Sequence, residues 1–330
     1  MTTSHLLNAA VVQFQHQANN KQYNLSVMQR FIERAAADKI NILAFPEMCI
    51  TGYWHVRKLS ENKVRALAEP IATGPSITLI RALAVKYQML IGVGIIELSD
   101  DGQLYNAYVA CMPDGSYHTH RKLHPFEHPA ISSGDAYTVF ETPWGVNVGI
   151  LICWDNNLVE NARATTLLGA DIILAPHQTG GTHSRSPYGM KHIPLELWQQ
   201  REDRKEEMNA AIRGPNGREW LMRWLPARAH DNGVFILFSN GIGADDDEVR
   251  TGNAMILDPY GRIIEETSAA EDTLVFAQLD LSLIPLSTGR RWIYGRRPEL
   301  YGILTERQGY ERDAISARFS EEETGIKKIN

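Results

Sequence analysis

Three residues of this chain carry the chemistry needed to make and break an acyl bond. Cys153 ends an apolar run, residues 146–152, and is followed at once by Trp154-Asp155-Asn156-Asn157. A cysteine at the tip of a buried strand, with a helix starting just beyond it, is a nucleophile candidate, because helix-start N–H groups favour the thiolate. Glu47 follows Phe45-Pro46 after a second apolar strand, and Lys122 closes a hairpin strand in Arg121-Lys122-Leu123-His124-Pro125. Ligands of open α/β sheets gather beyond the carboxyl ends of strands, where all three residues fall. A free thiol is only a few per cent ionised near pH 7, and a carboxylate such as Glu47 can take its proton. An ammonium such as Lys122 favours the thiolate and stabilises a developing oxyanion. Singly, each residue also has an ordinary reading. Cysteine is commonly just buried, a strand-end glutamate is commonly a solvated loop residue or a helix cap, and a lysine after a hairpin is commonly a surface charge. Periodicity alone does not bring the three together in space.

The elements that must position them follow from hydrophobic spacing. Residues 6–14 read as a strand, 25–37 as a helix with Leu25, Met28, Phe31, Ile32 and Ala35 on one face, and 40–45 as a second strand. This β–α–β unit implies parallel pairing and a right-handed crossover. A helix over 76–87 leads to a strand over 89–98. Turns at Asp100-Asp101-Gly102 and Pro113-Asp114-Gly115 then make hairpins with 104–112 and 116–122, so the sheet is mixed. The Cys153 strand precedes a helix over 159–168. Further strands are expected at 171–176, 234–239, 253–257, 262–265 and 274–281. No Ser/Gly/Pro-rich linker divides the chain, which reads as one α/β domain, residues 1–330, with its sheets covered by helices. Residues 183–232 stand apart as a long polar insertion rich in tryptophan, with helices over 195–211 and 219–230, and serve as a lid or as a subunit contact. A C-terminal tail covers about 305–330, and its residues 320–330 are charged and read as mobile.

Composition narrows the class. The 330 residues are 44% hydrophobic and 22% charged with net charge −6, ordinary for a globular protein with a full core. No basic patch interleaved with aromatics suggests nucleic acid. No secretory signal is evident, no apolar stretch approaches membrane-spanning length, and three widely spaced cysteines, an odd number, point to a reducing cytoplasm rather than a disulfide framework.

The contexts of the three residues resemble the nitrilase superfamily of carbon–nitrogen hydrolases. Leu43-Ala44-Phe45-Pro46-Glu47-Met48-Cys49-Ile50-Thr51-Gly52-Tyr53 is similar to the family's glutamate motif. Arg121-Lys122-Leu123-His124, running on to Gly134-Asp135, is similar to its lysine motif. Gly149-Ile150-Leu151-Ile152-Cys153-Trp154-Asp155 is similar to its cysteine motif. Gly169-Ala170-Asp171-Ile172-Ile173 and Arg297-Pro298-Glu299-Leu300-Tyr301 extend the match over residues 8–304. The resemblance implies a four-layer α-β-β-α sandwich, commonly dimerised or assembled further. It implies Glu47 as general base and acid, Lys122 as oxyanion stabiliser, Cys153 as nucleophile and Glu127 as a second glutamate, closer to the lysine than is typical. The backbone N–H of Trp154 would join Lys122 at the oxyanion. The implied reaction is hydrolysis of a small-molecule amide, carbamoyl or nitrile group through a thioester with release of ammonia, and no metal or organic cofactor is implied.

Substrate choice rests on the residues around the cysteine. Relatives acting on N-carbamoyl-D-amino acids usually carry arginines there to pair with a carboxylate, whereas this chain has Asn156 and Asn157. Nitrilases proper usually read Cys-Trp-Glu, and this chain reads Cys-Trp-Asp. An amide or carbamoyl substrate is therefore expected ahead of a nitrile. His177, after the strand 172–176, belongs to the same rim with Gln178, Thr179 and Gly180-Gly181, or is a backbone-bonded loop histidine, and Asn240 is a weaker candidate of the same kind. The run Asp245-Asp246-Asp247-Glu248 reads as a solvated loop, or as an attractor for a cationic substrate. Two rivals remain. His118, His120, His124 and His128 could hold a metal, since His-x-His on a strand puts both rings on one face, although the carboxylates of a familiar metal motif are missing. A catalytically silent scaffold is the other, and the intact Glu47, Lys122 and Cys153 speak against it.

Overall fold

Apolar side chains alternate along the central strands, and the alternation sorts them into three separate cores. A computed structural model describes residues 5–182, 184 and 186–319. Its strands are β1 (Leu6–Phe14), β2 (Ile42–Ala44), β3 (Leu90–Leu98), β4 (Leu104–Cys111), β5 (Tyr117–Arg121), β6 (Ile131–Ser132), β7 (Thr138–Glu141), β8 (Asn147–Ile150), β9 (Ile172–His177), β10 (Phe235–Asp245), β11 (Glu248–Thr251), β12 (Met255–Leu257), β13 (Ile263–Glu266) and β14 (Thr273–Asp280). The helices are α1 (Lys21–Ala37), α2 (Glu61–Leu67), α3 (Pro75–Tyr87), α4 (Val159–Leu167), α5 (Leu195–Gln199), α6 (Lys205–Arg213), α7 (Arg218–Met222), α8 (Leu225–Asn232), α9 (Leu283–Leu286), α10 (Thr288–Tyr294) and α11 (Ala314–Phe319).

Strand order is β5-β4-β3-β2-β1-β10-β9-β8-β7, with β14 on β1 and β12 on β10. β1 pairs β14 along its length, from Leu6↔Asp280 to Gln13↔Thr273, but meets β10 only at Gln13↔Asn240 and Phe14↔Gly241. That short contact is a corner joining two half-sheets that pack face to face. Leu7, Ala9 and Val11 of β1 point between the half-sheets, where they meet Val148, Ile150, Ile172, Leu174, Phe235 and Leu237. The alternate residues Ala10, Val12 and Phe14 pack outward on α1 and α3 through Met28, Ile32, Ile77 and Ile80. Across the molecule Ile173, Ala175, Ile236 and Phe238 pack outward on Ala162 of α4 and on Leu225 and Ala229 of α8. The result is helix, sheet, sheet, helix: the four-layer α/β sandwich. Among the described residues no helix is long and apolar enough to cross a membrane.

The helix expected over 159–168 is α4, beginning at Val159, and residues Cys153–Asn157 before it form a 3₁₀ turn. Two local expectations change. The two long helices of the tryptophan-rich segment are each broken, into α5 and α6 and into α7 and α8; Pro226 in the first turn of α8 lacks the N–H that would continue α7 into it. The acidic run is a tight hairpin, Asp245↔Glu248, rather than an open loop. The described part of the tail folds back as α11, whose Ala314 and Ile315 pack beside Tyr53, Trp54, Phe126 and Trp154. His183, Arg185 and residues 320–330 lie outside the described residues.

Candidate active site

Glu47 is wholly buried just past the end of β2. The next residue, Met48, takes a positive φ of 45°, and this kinked backbone lies against β3 at Gly94. A Cβ on Gly94 would stand 2.1 Å from the Met48 nitrogen and 2.7 Å from the Glu47 carbonyl carbon, so only glycine fits. Oε1 of Glu47 accepts from Asn106 Nδ2 at 2.7 Å and from Lys122 Nζ at 2.6 Å. Gln178 Nε2 donates to the Glu47 carbonyl at 2.8 Å, while Oε2 has no partner among the described residues. Burial pushes the Glu47 carboxyl well above its ordinary range, helped by the nearby Cys153 sulfur and resisted by Lys122.

Lys122 is also fully buried. Its N–H donates to the Asn106 carbonyl at 2.8 Å and its carbonyl accepts from Gly134 N–H at 2.8 Å. A side chain at Gly134 would collide with the Arg121 carbonyl oxygen at 2.2 Å, which explains the glycine of the Gly-Asp pair. Burial works against the Lys122 charge, but the Glu127 and Glu47 carboxylates outweigh it and hold the ammonium protonated beyond its usual range. Nζ makes a close ion pair with Glu127 Oε1 and lies 4.5 Å from the centre of the Phe126 ring. The short interval between Lys122 and Glu127 thus still brings their side chains together. Tyr53 OH donates to Glu127 Oε1 at 3.5 Å, a long contact. Burial, then Glu47 and Glu127, push its phenol well up, so it stays a neutral donor.

Cys153 is 7% exposed, whereas Glu47, Lys122 and Glu127 are at 0%, so the sulfur is the open end of the cluster. Its φ of +50° is rare for a residue with a side chain, and it turns the chain sharply off β8. The turn is held by Asp155, whose carboxylate accepts N–H from Ile152 at 3.2 Å, Leu123 at 3.2 Å and His124 at 3.0 Å. One side chain therefore ties the cysteine turn to the lysine loop.

The remaining candidates divide. Trp154 is partly exposed and packs edge-on against Phe126 with ring centres 5.0 Å apart. Asn156 faces inward, donating to the Leu151 carbonyl at 2.7 Å and bonding His177 Nε2 at 3.2 Å. Asn157 is exposed, and its carbonyl accepts from Arg228 at 2.8 Å, so it is not brought to the cluster. His177 is buried between Trp224 and Phe238 at 5.8 and 4.7 Å, and burial pushes its pKa down to about 3. Asn240 ties backbone together, accepting from Thr179 N–H at 2.8 Å and donating to the Gly252 carbonyl at 2.7 Å.

Three of the four histidines have separate side-chain partners: His118 stacks on Phe140 at 4.1 Å, His120 bonds Thr138 Oγ1 at 3.2 Å, and His128 bonds the Leu59 carbonyl at 3.0 Å. Among the described residues no three His, Cys, Asp or Glu side chains form a metal-binding group. The acidic hairpin is engaged too. Asp245 and Glu248 pair with the buried Arg250 at 2.9 Å each, and Asp247 pairs with Arg57 at 2.6 Å. Asp245 also accepts the Trp54 N–H at 3.1 Å, and Arg250 lies over the Tyr53 ring at 5.1 Å. Gln178, expected on the rim beside His177, is brought to Glu47, whereas sequence reasoning missed Asn106, Tyr53 and Asp155 as partners of the cluster. Only Asp155 carried a signal, as an acidic residue two positions after a candidate nucleophile.

Comparison with known proteins agrees with this geometry. The sequence profile of the carbon-nitrogen hydrolases matches residues 8–286. An (R)-stereoselective amidase from a Pseudomonas species is 30% identical over 312 residues, covering 92% of this chain and 97% of the relative. The fold superposes on a carbon-nitrogen hydrolase from Helicobacter pylori G27 with TM-score 0.73 at 21% identity, covering 92% and 99% of the two chains. It superposes on an amidase from Nesterenkonia sp. AN1 with TM-score 0.66 at 19% identity, covering 91% and 97%. The chain belongs to the carbon-nitrogen hydrolase family. It is an enzyme that hydrolyses a non-peptide carbon–nitrogen bond.

Proposed function

We propose that this enzyme hydrolyses the amide or N-carbamoyl group of a small molecule, with Cys153 as nucleophile, Glu47 as general base and acid, and Lys122 as oxyanion donor. The observation that supports the reading is the buried Lys122–Glu47 contact at 2.6 Å, with Cys153 near enough to act electrostatically on both groups. A carboxylate, an ammonium and a thiol from three distant stretches of sequence are the groups that acyl transfer requires.

The chemistry balances with these groups alone. Glu47 takes the Cys153 thiol proton as sulfur bonds to the carbonyl carbon, and the oxyanion forms against Lys122 and the Trp154 N–H. Collapse breaks the C–N bond, and the proton on Glu47 leaves with ammonia. A thioester stays on Cys153. Water then gives a proton to Glu47, attacks the thioester carbon and releases the acid; the proton returns to sulfur. Glu127 neutralises the Lys122 charge from the side and, with Tyr53, fixes its position. The raised affinity of Glu47 for a proton suits a group that must accept one and pass it on. Asn156 and His177 act as a buried brace beneath the cysteine turn.

The Cys-Trp-Asp reading and the amidase relative support an amide over a nitrile. The test is ammonia release across amides, N-carbamoyl compounds and nitriles, with Cys153→Ala as control. Amide or carbamoyl turnover that vanishes in the folded variant supports the reading. Full turnover by Cys153→Ala, or turnover of nitriles alone, overturns it.

The same proposal includes a single domain, a homodimer or larger assembly, and a cytoplasmic setting. Cores that share strands support the first, with the segment 183–232 contributing Leu221, Trp224 and Leu225 to one of them. Exposed Leu168, Trp292 and Tyr294 near α4 and α10 support the second. The third is supported by the free state of all three cysteines. Light scattering coupled to size exclusion tests the assembly, and a monomer at micromolar concentration rejects it.

A further inference from the structure

Arg318, on α11, sits at the edge of this site without an acceptor. Its guanidinium lies 4.4 Å from the centre of the Phe126 ring and 5.7 Å from those of Trp54 and Trp154. Phe126 is the ring that Lys122 Nζ also contacts, at 4.5 Å, and Trp154 is the neighbour of Cys153 in the chain. Arg318 is therefore one aromatic side chain removed from the reacting groups.

Its partners set it apart from the other cations near the site. Lys122 is paired with Glu47 and Glu127, and Arg250 with Asp245 and Glu248. Arg318 has neither a hydrogen bond nor an ion pair among the described residues, and its Nε is buried with no acceptor. Rings hold the plane of a guanidinium through cation–π contact but do not satisfy its N–H donors. A buried donor without an acceptor is costly, and a guanidinium can present Nε together with a terminal N–H to the two oxygens of a carboxylate. The positions after Cys153 where a carboxylate-binding arginine would be expected hold Asn156, which is tied to backbone and His177, and the outward-facing Asn157.

We propose that Arg318 is a specificity-determining residue that binds a carboxylate at the non-reacting end of the substrate, so that the preferred substrates are amides or carbamoyl compounds bearing an acid group. This rests on the amide or carbamoyl reading above and names the substrate class within it.

The test uses the full chain and matched probes: glutaramate, a monoamide with a distal carboxylate, against valeramide, an alkyl amide. Wild type is expected to show the lower KM for glutaramate. Arg318→Met, which keeps the apolar stem, is expected to shrink the KM ratio of the two probes by roughly ten- to hundred-fold, the usual worth of a charged hydrogen-bonded pair. Arg318→Lys is expected to recover part of it. An unchanged ratio in Arg318→Met, including a parallel loss on both probes, overturns the proposal. So does a wild-type preference for valeramide. Calorimetric binding of the same probes to Cys153→Ala needs no turnover. Tighter glutaramate binding that Arg318→Met removes in that background sustains Arg318 even if hydrolysis of amides fails, and equal binding of the two probes rejects it even if hydrolysis succeeds.

Discussion

The carboxylate of Asp155 accepts the backbone N–H of His124 at 3.0 Å, joining the turn that carries Cys153 to the loop that follows Lys122. The two stretches are distant in the chain: Asp155 lies in the 3₁₀ turn Cys153–Asn157 and His124 in the loop after β5. Two residues downstream of the cysteine, Asp155 is wholly buried and spends its lone pairs on three backbone donors. It is a positioning residue: it sets where the sulfur stands relative to the ammonium without facing the substrate.

Asp155→Ala should therefore cost stability and activity together. Three N–H groups lose their acceptor, and a buried donor left unpaired costs about 1–3 kcal/mol, so a loss of about 3 kcal/mol in urea unfolding is expected with kcat/KM reduced on the order of a hundred-fold. Asp155→Asn should fall between, because its amide nitrogen would face a donor on one side. A folded Asp155→Ala protein with wild-type kcat/KM would remove Asp155 from this role.

Gly94 makes a second kind of prediction, about shape. A methyl group there meets the backbone at Met48 with no flexible side chain to yield, so Gly94→Ala must displace the segment carrying Glu47. Loss of most amide turnover is expected even where circular dichroism shows the fold retained. Gly102→Ala is the contrast: nothing lies within 4 Å of its added Cβ, but its φ is +81°. It should lose about 1 kcal/mol of stability with activity retained. Equal effects of the two variants on kcat/KM would argue against steric positioning of Glu47.

Much of this arrangement was legible in the sequence, for definite reasons. A near-continuous apolar run, with Leu7, Ala9 and Val11 on one face and Ala10, Val12 and Phe14 on the other, signals a strand buried on both faces, and the four-layer order is what the family resemblance implied. Glu47 and Cys153 stand out because each is a polar residue at the end of an apolar run, and Lys122 because it closes a hairpin strand and lies in a stretch similar to the family's lysine motif. Asn106 does not stand out, since a buried amide inside a strand looks like any other until its partner is known. The acidic hairpin misled because four carboxylates in a row read as solvated, whereas Arg250 on the hairpin's own second strand turns back onto Asp245, and Arg57 and Lys58 reach Asp246 from a distant stretch of the chain. Arg318 was hidden for the same reason: its aromatic partners come from three distant segments.

His177 predicts a pH dependence of stability. Burial holds its folded pKa at about 3, below the ordinary 6.5. Between those values the unfolded chain binds a proton that the folded protein does not, so stability rises with pH. The contribution is present above about pH 6.5 and is lost as pH falls toward 3, at up to about 1.4 kcal/mol per pH unit. His177→Gln cannot titrate there. The stability gap between wild type and this variant, read from urea unfolding at steps from about pH 7 to about pH 4.5, should narrow as pH falls. A gap that is constant or widens would show that His177 is not held neutral by burial.

The three thiols should differ sharply in reactivity. Cys49 and Cys111 sit inside the sandwich, where burial pushes each thiol up to about 12. Only the thiolate attacks an electrophile, so near pH 8 about one part in ten thousand of either is reactive, and neither has a path to solvent. Cys153 is partly open, beside a carboxylate that can take its proton. Folded protein treated with iodoacetamide should gain one carbamidomethyl group by intact mass, mapped to Cys153, and lose amide turnover at the same rate. Unfolding in guanidinium should expose all three cysteines to the reagent, and Cys153→Ala should gain no group while folded. Labelling of Cys49 or Cys111 in the folded protein as fast as Cys153 would mean that the opening at the cluster is not what distinguishes the nucleophile.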